Sequence, residues 1–142
     1  MIRVVFDANV IVSGLFASDG PLAEIVDRWR MGHIRLIVWL HTLDEASRAW
    51  GKPCWRSRFS TGHARRALKL LREEADGIPI TIIVTGVASH PEDDAVLATA
   101  VSGQAHFLVA GDKALLNLGR VSDVTILSPR AFHEPLNQSD IR

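Results

Sequence analysis

The chain has 142 residues, 47% of them hydrophobic and 23% charged, which suits one compact domain with a core of ordinary size. Sixteen basic and sixteen acidic residues cancel, so the basic balance of most nucleic-acid-binding proteins is missing, and a single cysteine, Cys54, excludes an internal disulfide and any Cys–Cys zinc knuckle. No apolar run reaches the roughly eighteen residues of a membrane span, and the opening run meets Asp7 too soon for a signal-peptide core, so a cytoplasmic protein is expected.

Ile2 to Phe6 is β-branched and aromatic, has the length of a buried strand, and stops at Asp7 with Asn9 two positions on. Val10 to Phe16 predicts a short helix ended by Ser18-Asp19-Gly20. Pro21 fits the first turn of a second helix, where Leu22, Ile25, Val26 and Trp29 recur with a period near 3.6 and Gly32 marks the stop. Ile34 to Val38 is a second strand, and Leu40 to Trp50 a helix turning Leu43, Ala46 and Trp50 inward until Gly51-Lys52-Pro53 breaks it.

Ser60 is the expected N-cap of a helix reaching about Ala75, with Ala64, Ala67, Leu68 and Leu71 on its inner face. Ile78 to Val84 reads as a third strand, with Pro79 near its start because proline cannot donate to a central ladder. Pro91 to Val101 predicts a well buried helix with an acidic first turn. Phe107 to Ala110 is a fourth strand leading through Gly111-Asp112 into a short helix, Lys113 to Leu118. Val124 to Leu127 is a fifth strand, followed by Ser128-Pro129 and a last helical turn. Residues 1–136 form the expected domain and 137–142 a polar tail. Strands alternating with helices argue for an α/β fold: a parallel sheet with right-handed crossovers, covered on both faces.

Charge is unevenly spread. From Ala46 through Arg72 there is no acid, while Arg48, Lys52, Arg56, Arg58, Arg65, Arg66, Lys69 and Arg72 supply eight positive charges. Such a segment lines a path for a phosphate backbone, docks an acidic partner, or is simply a solvated face. Of the four tryptophans, Trp29 and Trp50 fit core stripes, leaving Trp55, among the arginines, as the stacking candidate.

In a parallel sheet every strand delivers the residues after it to one edge, so Asp7, the turn at Asp93-Asp94, and Asp112 are expected at the same rim. Asp94 shares a helical register with Leu97, Ala98 and Val101, an inward stripe where a carboxylate needs compensation by a cation or a proton. Each acid also has a simpler reading as a helix cap or as a charge at the positive end of a helix dipole. Clustered carboxylates raise one another's pKa, and a divalent cation relieves the repulsion. His90, just before the acidic turn, is a candidate substrate contact or a solvated loop residue.

These segments together resemble the PIN-domain ribonucleases: the strand ending in Asp7-Ala-Asn9 with Ser13, the Glu45 helix, Asp93-Asp94-Ala-Val-Leu-Ala, and Leu-Val-Ala-Gly-Asp112-Lys113 with two leucines after it. The likeness runs in order from about Met1 to Phe132 and is closest to small single-domain members classed as toxins of toxin–antitoxin pairs. It implies a three-layer α/β/α sandwich, with the five strands read above in a mainly parallel central sheet. It also implies an acidic pocket holding Mg²⁺ or Mn²⁺, cleavage of RNA, and a cognate antitoxin and a homodimer as partners.

Carried over by position, Asp7, Glu45, Asp94 and Asp112 form the catalytic acidic set, with Asp7, Asp94 and Asp112 as metal ligands. Asn9, Ser13 and Asp93 support them, and Arg48, Lys52, Arg56, Arg58 and Lys113 contact nucleic acid. Glu45 rests on the family alone, since periodicity does not separate it from Asp44. Two positions depart from the pattern: Ala110 stands where many relatives have Thr, and Ala114 where they often have a second acid. Those losses keep open a second reading, a PIN-like binding module with a decayed metal site. A third reading, a haloacid-dehalogenase-type phosphohydrolase with Asp7 as nucleophile, is weakened by Asn9 in place of the second acid of that family's Asp-x-Asp.

Overall fold

The run Ile2–Phe6, apolar except for Arg3, takes the place that such a sequence demands, inside a parallel sheet with both faces covered. The computed structural model describes residues 1–15, 17, 19–39, 48, 61–87 and 91–138. In chain order the elements are β1 (Ile2–Phe6), α1 (Ala8–Leu15), α2 (Gly20–Arg30), β2 (Ile34–Val38), α3 (Thr61–Glu74), β3 (Asp76–Gly77), α4 (Pro91–Ser102), β4 (Phe107–Val109), α5 (Lys113–Leu118), β5 (Arg120–Val121), β6 (Val124–Leu127) and α6 (Pro129–Gln138). The helix expected over Leu40 to Trp50 lies outside the described residues except for Arg48, which is helical.

Strand order is β3-β2-β1-β4-β6-β5, parallel except for the edge pair β5 and β6. One face carries the core formed by Val10, Ile11 and Val12 of α1, Ile25, Val26 and Trp29 of α2, Ala67 and Leu71 of α3, and Phe132 of α6. The other is covered by Val96, Leu97 and Ala100 of α4 and Leu115 of α5. This is the expected α/β sandwich.

Helix ends follow their sequence signals. The Asp7 carboxylate accepts the Val10 N–H at 2.8 Å and starts α1, and the Ser128 hydroxyl accepts the Ala131 N–H at 3.1 Å and starts α6. Gly32, at φ +80°, ends α2: its N–H bonds Trp29 O and that of His33 bonds Arg28 O, a paired closure that needs the left-handed conformation. Phe132 is fully buried and meets Phe107 at 5.2 Å between ring centroids, pinning α6 over β4. That helix extends to Gln138, well beyond the single turn expected there.

Two expectations about strands are corrected. The sheet has six strands rather than five, because Arg120–Val121 folds back on Val124 through the two-residue turn Ser122-Asp123, with Ser122 at φ +53°. The pair is too short and its turn too poor in Gly or Asn to announce itself as a hairpin. Ile78 to Val84 is not a strand. The ladder reaches only as far as the Ile78 N–H, which bonds Val38 O at 3.0 Å, and Pro79 brings no donor to continue it.

The chain instead lies along α4. The Thr81 and Ile82 N–H groups donate to the Ser102 hydroxyl at 3.0 and 2.9 Å, and the Gly86 N–H donates to Asp94 Oδ2 at 3.0 Å. Asp94 to Ser102 rises about 12 Å along a helix, and Ile82 to Gly86 spans about 13 Å when extended. The segment is therefore a strap pinned at both ends of α4, with Val84 packed inward and Ile83 80% exposed.

Candidate active site

The strand registers, carried one residue past β1, set a single row across the carboxyl edge of the sheet. Ile37 and Val38 pair with Asp76 and Gly77, Val4 with Leu36, Phe6 with Val109, and Val109 with Leu127. The next position in each strand gives the row Ile78, Trp39, Asp7, Ala110, Ser128. Asp7 is thus at the middle of the rim, where the chemistry of an open α/β sheet is placed.

Asp7 is 7% exposed. Its backbone N–H donates to Val109 O at 3.1 Å and its carbonyl accepts from Ile11 N–H at 3.0 Å. Its carboxylate accepts the Val10 N–H at 2.8 Å and has the Gly111 N–H, in the loop after β4, near it as a second favourable dipole. Burial pushes the Asp7 carboxyl up to about 6, against the lowering effect of those two N–H donors, and the negative charges of Asp93 and Asp112 add to the rise. Cap and site residue are one side chain here, since the cap uses one lone-pair direction and leaves the charge uncompensated.

Asp112 also caps, its Oδ2 accepting the Leu115 N–H at 3.4 Å to open α5, but it is exposed. Asp93 and Asp94 differ. Both are half-buried at the start of α4, yet Asp93 is the one whose charge acts on Asp7, while Asp94 Oδ2 holds the strap through Gly86. Gly86 has φ +69°, a conformation that suits glycine and presents its N–H to that oxygen. The inward stripe on which Asp94 lies is therefore answered by a backbone donor.

The remaining expected residues are scattered or undescribed. Asn9 is exposed on the first turn of α1 and Ser13 is half-buried further along it. Lys113 is exposed beside Asp112, and Arg48 is exposed. Glu45, Asp44, Lys52, Cys54, Trp55, Arg56, Arg58 and His90 lie outside the described residues. Ala110 is fully buried next to Asp7 in the row, so the hydroxyl that Thr would bring there is replaced by a packed methyl.

Among the described residues no three His, Cys, Asp or Glu side chains converge closely enough to hold a metal ion by themselves. The donors nevertheless suit a hard divalent cation in kind: they are carboxylate oxygens, and their mutual repulsion falls on Asp7. No helix among the described residues is long and apolar enough to cross a membrane.

The family model described as PIN domain matches residues 3–114, well over half of the chain. The chain belongs to the PIN-domain family. No curated protein matches it. PIN domains are typically metal-dependent nucleases, and membership sets aside the phosphohydrolase reading with Asp7 as covalent nucleophile. The match spans β1 through the start of α5, which includes every acid of the rim.

Proposed function

We propose that this PIN domain is a Mg²⁺- or Mn²⁺-dependent endoribonuclease, and that it is the toxin of a toxin–antitoxin pair. The observation that carries the nuclease reading is the charge crowding at Asp7, a buried carboxylate at the centre of the rim raised further by Asp93 and Asp112. Asp7, Asp93 and Asp112 are the metal ligands in this reading. Asp94, the ligand expected from the sequence, exchanges roles with Asp93 and positions the strap, and Glu45 completes the acidic set by resemblance.

When bound, the divalent cation supplies charge neutralisation at the phosphate and a nucleophilic water at neutral pH. The protein's own groups do the rest. The Val10 N–H fixes the Asp7 carboxylate, so it needs little reorganisation when charge develops beside it. Asp112 opens α5 with Lys113 next in sequence, which puts an exposed ammonium where a phosphate oxygen approaches an otherwise acidic rim. Arg48, Lys52, Arg56 and Arg58 are proposed to track the strand's phosphates, with Asn9 and Ser13 as polar supports. The toxin role, the antitoxin partner and the homodimer are supported by the resemblance of the motifs.

RNA cleavage by the purified protein with and without Mn²⁺, beside an Asp7→Asn variant prepared identically, tests the reading. Cleavage that needs both the metal and Asp7 upholds it. A second reading, a PIN-fold binding module whose metal site has decayed, is favoured by Ala110, by Ala114 and by the lack of three convergent donors among the described residues. Absence of both cleavage and calorimetric Mn²⁺ binding would establish that module instead.

A further inference from the structure

Beside the acids, the same rim holds a cavity of about 450 Å³ lined by Val38, Trp39, Leu71, Arg72, Ala75, Gly77, Ile78 and Pro79. It lies between the carboxyl ends of β2 and β3 and the last turns of α3. Its size and its largely apolar lining are those of a small-ligand pocket. Trp39 and Ile78 are successive members of the rim row, so the cavity begins one strand over from Asp7, about 5 Å away in the sheet. A ligand that fills it is contiguous with whatever occupies the acidic centre.

Its lip carries a guanidinium, and the acids around it are partly answered by other cations. Arg72 is exposed and forms no ion pair among the described residues, and Arg65 and Lys69 share its face of α3 at helical spacing. The nearest acid on the sheet side, Asp76, is held by Arg35 at 2.6 Å, and Glu73 faces Lys69 at 3.9 Å. An apolar slot with an indole in its wall and a guanidinium at its lip matches a flat aromatic ring joined to a phosphate.

We infer that the Trp39 cavity receives one unpaired nucleobase of the RNA strand whose backbone crosses the acidic rim, with Arg72 on the phosphate beside that base. The inference rests on the nuclease reading for the identity of the strand. It makes the substrate locally single-stranded, because a base stacked in a duplex does not reach a slot in the protein. It also makes the position tolerant of base identity, because the recognition is stacking on an aromatic face.

The test uses a short labelled single-stranded RNA, binding being read by anisotropy in EDTA and cleavage in Mn²⁺. A single abasic nucleotide is scanned along the strand against wild-type, Trp39→Leu and Arg72→Gln proteins. One abasic position should weaken wild-type binding about tenfold and raise KM likewise with kcat retained. Trp39→Leu should show the same loss on the intact strand and no further loss on that abasic strand. Arg72→Gln should weaken binding and lower the salt slope by about one. Changing the base at the sensitive position should matter little, and a perfect duplex should bind worse than the single strand.

A flat abasic profile on a strand that is still cut overturns the pocket and leaves the nuclease reading intact. Trp39→Leu weakening abasic and intact strands alike overturns it too. Should Trp39→Leu fail to fold, the scan on wild-type protein and Arg72→Gln decide alone. A position-specific abasic loss without any Mn²⁺-dependent cleavage keeps the pocket and removes the nuclease. No RNA binding and no cleavage overturn both.

Discussion

At the end of β1 and again just after β4 the chain makes the same local move: an aspartate accepts an N–H three residues on and opens a helix. The two results are different acids. Asp7 sits inside the sheet with neighbours on both sides, is buried, and is pushed up to about 6; Asp112 stands two residues beyond the register row and is exposed. Capping satisfies backbone donors in either place, but only the central strand removes the carboxylate from water. Depth in the sheet, rather than the motif, decides which cap becomes a carboxylate that needs a cation or a proton.

Exchanging the two acids for amides should separate them most widely. Asp7→Asn is expected to lower Mn²⁺-dependent RNA cleavage on the order of 100-fold or more, the scale of the several kcal/mol that a divalent ion lends a transition state. The same change keeps a side-chain oxygen for the Val10 N–H, so the metal-free protein should melt no lower at neutral pH. Asp112→Asn should reduce cleavage with no such gain in stability. Equal gains in melting temperature for both variants would remove the distinction drawn from burial.

The neighbouring pair at the start of α4 sharpens the comparison. Asp93→Asn is expected to cut cleavage about 10- to 100-fold and to move the Asp7 titration, followed by carboxyl NMR, downward. Asp94→Asn should leave the Asp7 titration in place and increase proteolysis or hydrogen exchange at the strap around Gly86. A reversed pattern would return Asp94 to the metal site.

The burial of Asp7 also fixes a pH dependence. Its folded pKa, about 6, lies above the ordinary carboxylate value, so the folded state holds this proton more tightly than the unfolded chain. The stabilisation is complete below about pH 4 and is lost as pH rises through 6, at most about 3 kcal/mol for two units. Urea titrations of the metal-free protein between pH 4 and 7 should show this component of stability falling with pH, and the component should be missing in Asp7→Asn. Ser102→Ala gives the smallest effect, about 1 kcal/mol from acceptors lost to two N–H groups, with protection reduced at Thr81 and Ile82 and cleavage little changed.

Central features of the fold were readable because they obey one strong constraint each. Ile2–Phe6 and Ile34–Val38 carry buried apolar residues on both faces, broken only by Arg3 and Arg35 near their starts, as an inner parallel strand requires, and Ile25, Val26 and Trp29 repeat at the helical period. The position of Asp7 and Asp112 at one rim was readable because parallel strand ends share an edge. The strap was not, because β-branched residues from Ile78 to Val84 mimic a strand, and only the lost donor at Pro79 and the Ser102 anchor reveal another partner.

That difference carried into the site. The inward register of Asp94 calls for a cation or a proton as long as Ile78 to Val84 reads as a strand; with the strap on α4, the Gly86 N–H is a further partner for one of its oxygens. Separating Asp93 from Asp94 needs the direction of adjacent side chains on one helix turn, which spacing does not contain. Trp39 was likewise hidden: nothing in its neighbours distinguishes it from a core tryptophan until the cavity is seen.

The order of pairing along the sheet has a consequence for how the acidic rim is assembled during synthesis. β1 is made first, yet one of its two neighbours, β4, contributes Phe107 as the partner of Val4. Until that late segment leaves the ribosome, the first strand keeps an open edge, and long-range parallel pairing of this kind forms slowly and exposes the chain to misassembly. Asp7 and Asp112 meet only at that stage. A nascent or truncated chain ending before β4 therefore lacks an assembled acidic rim, and whatever that rim binds must wait until most of the polypeptide exists.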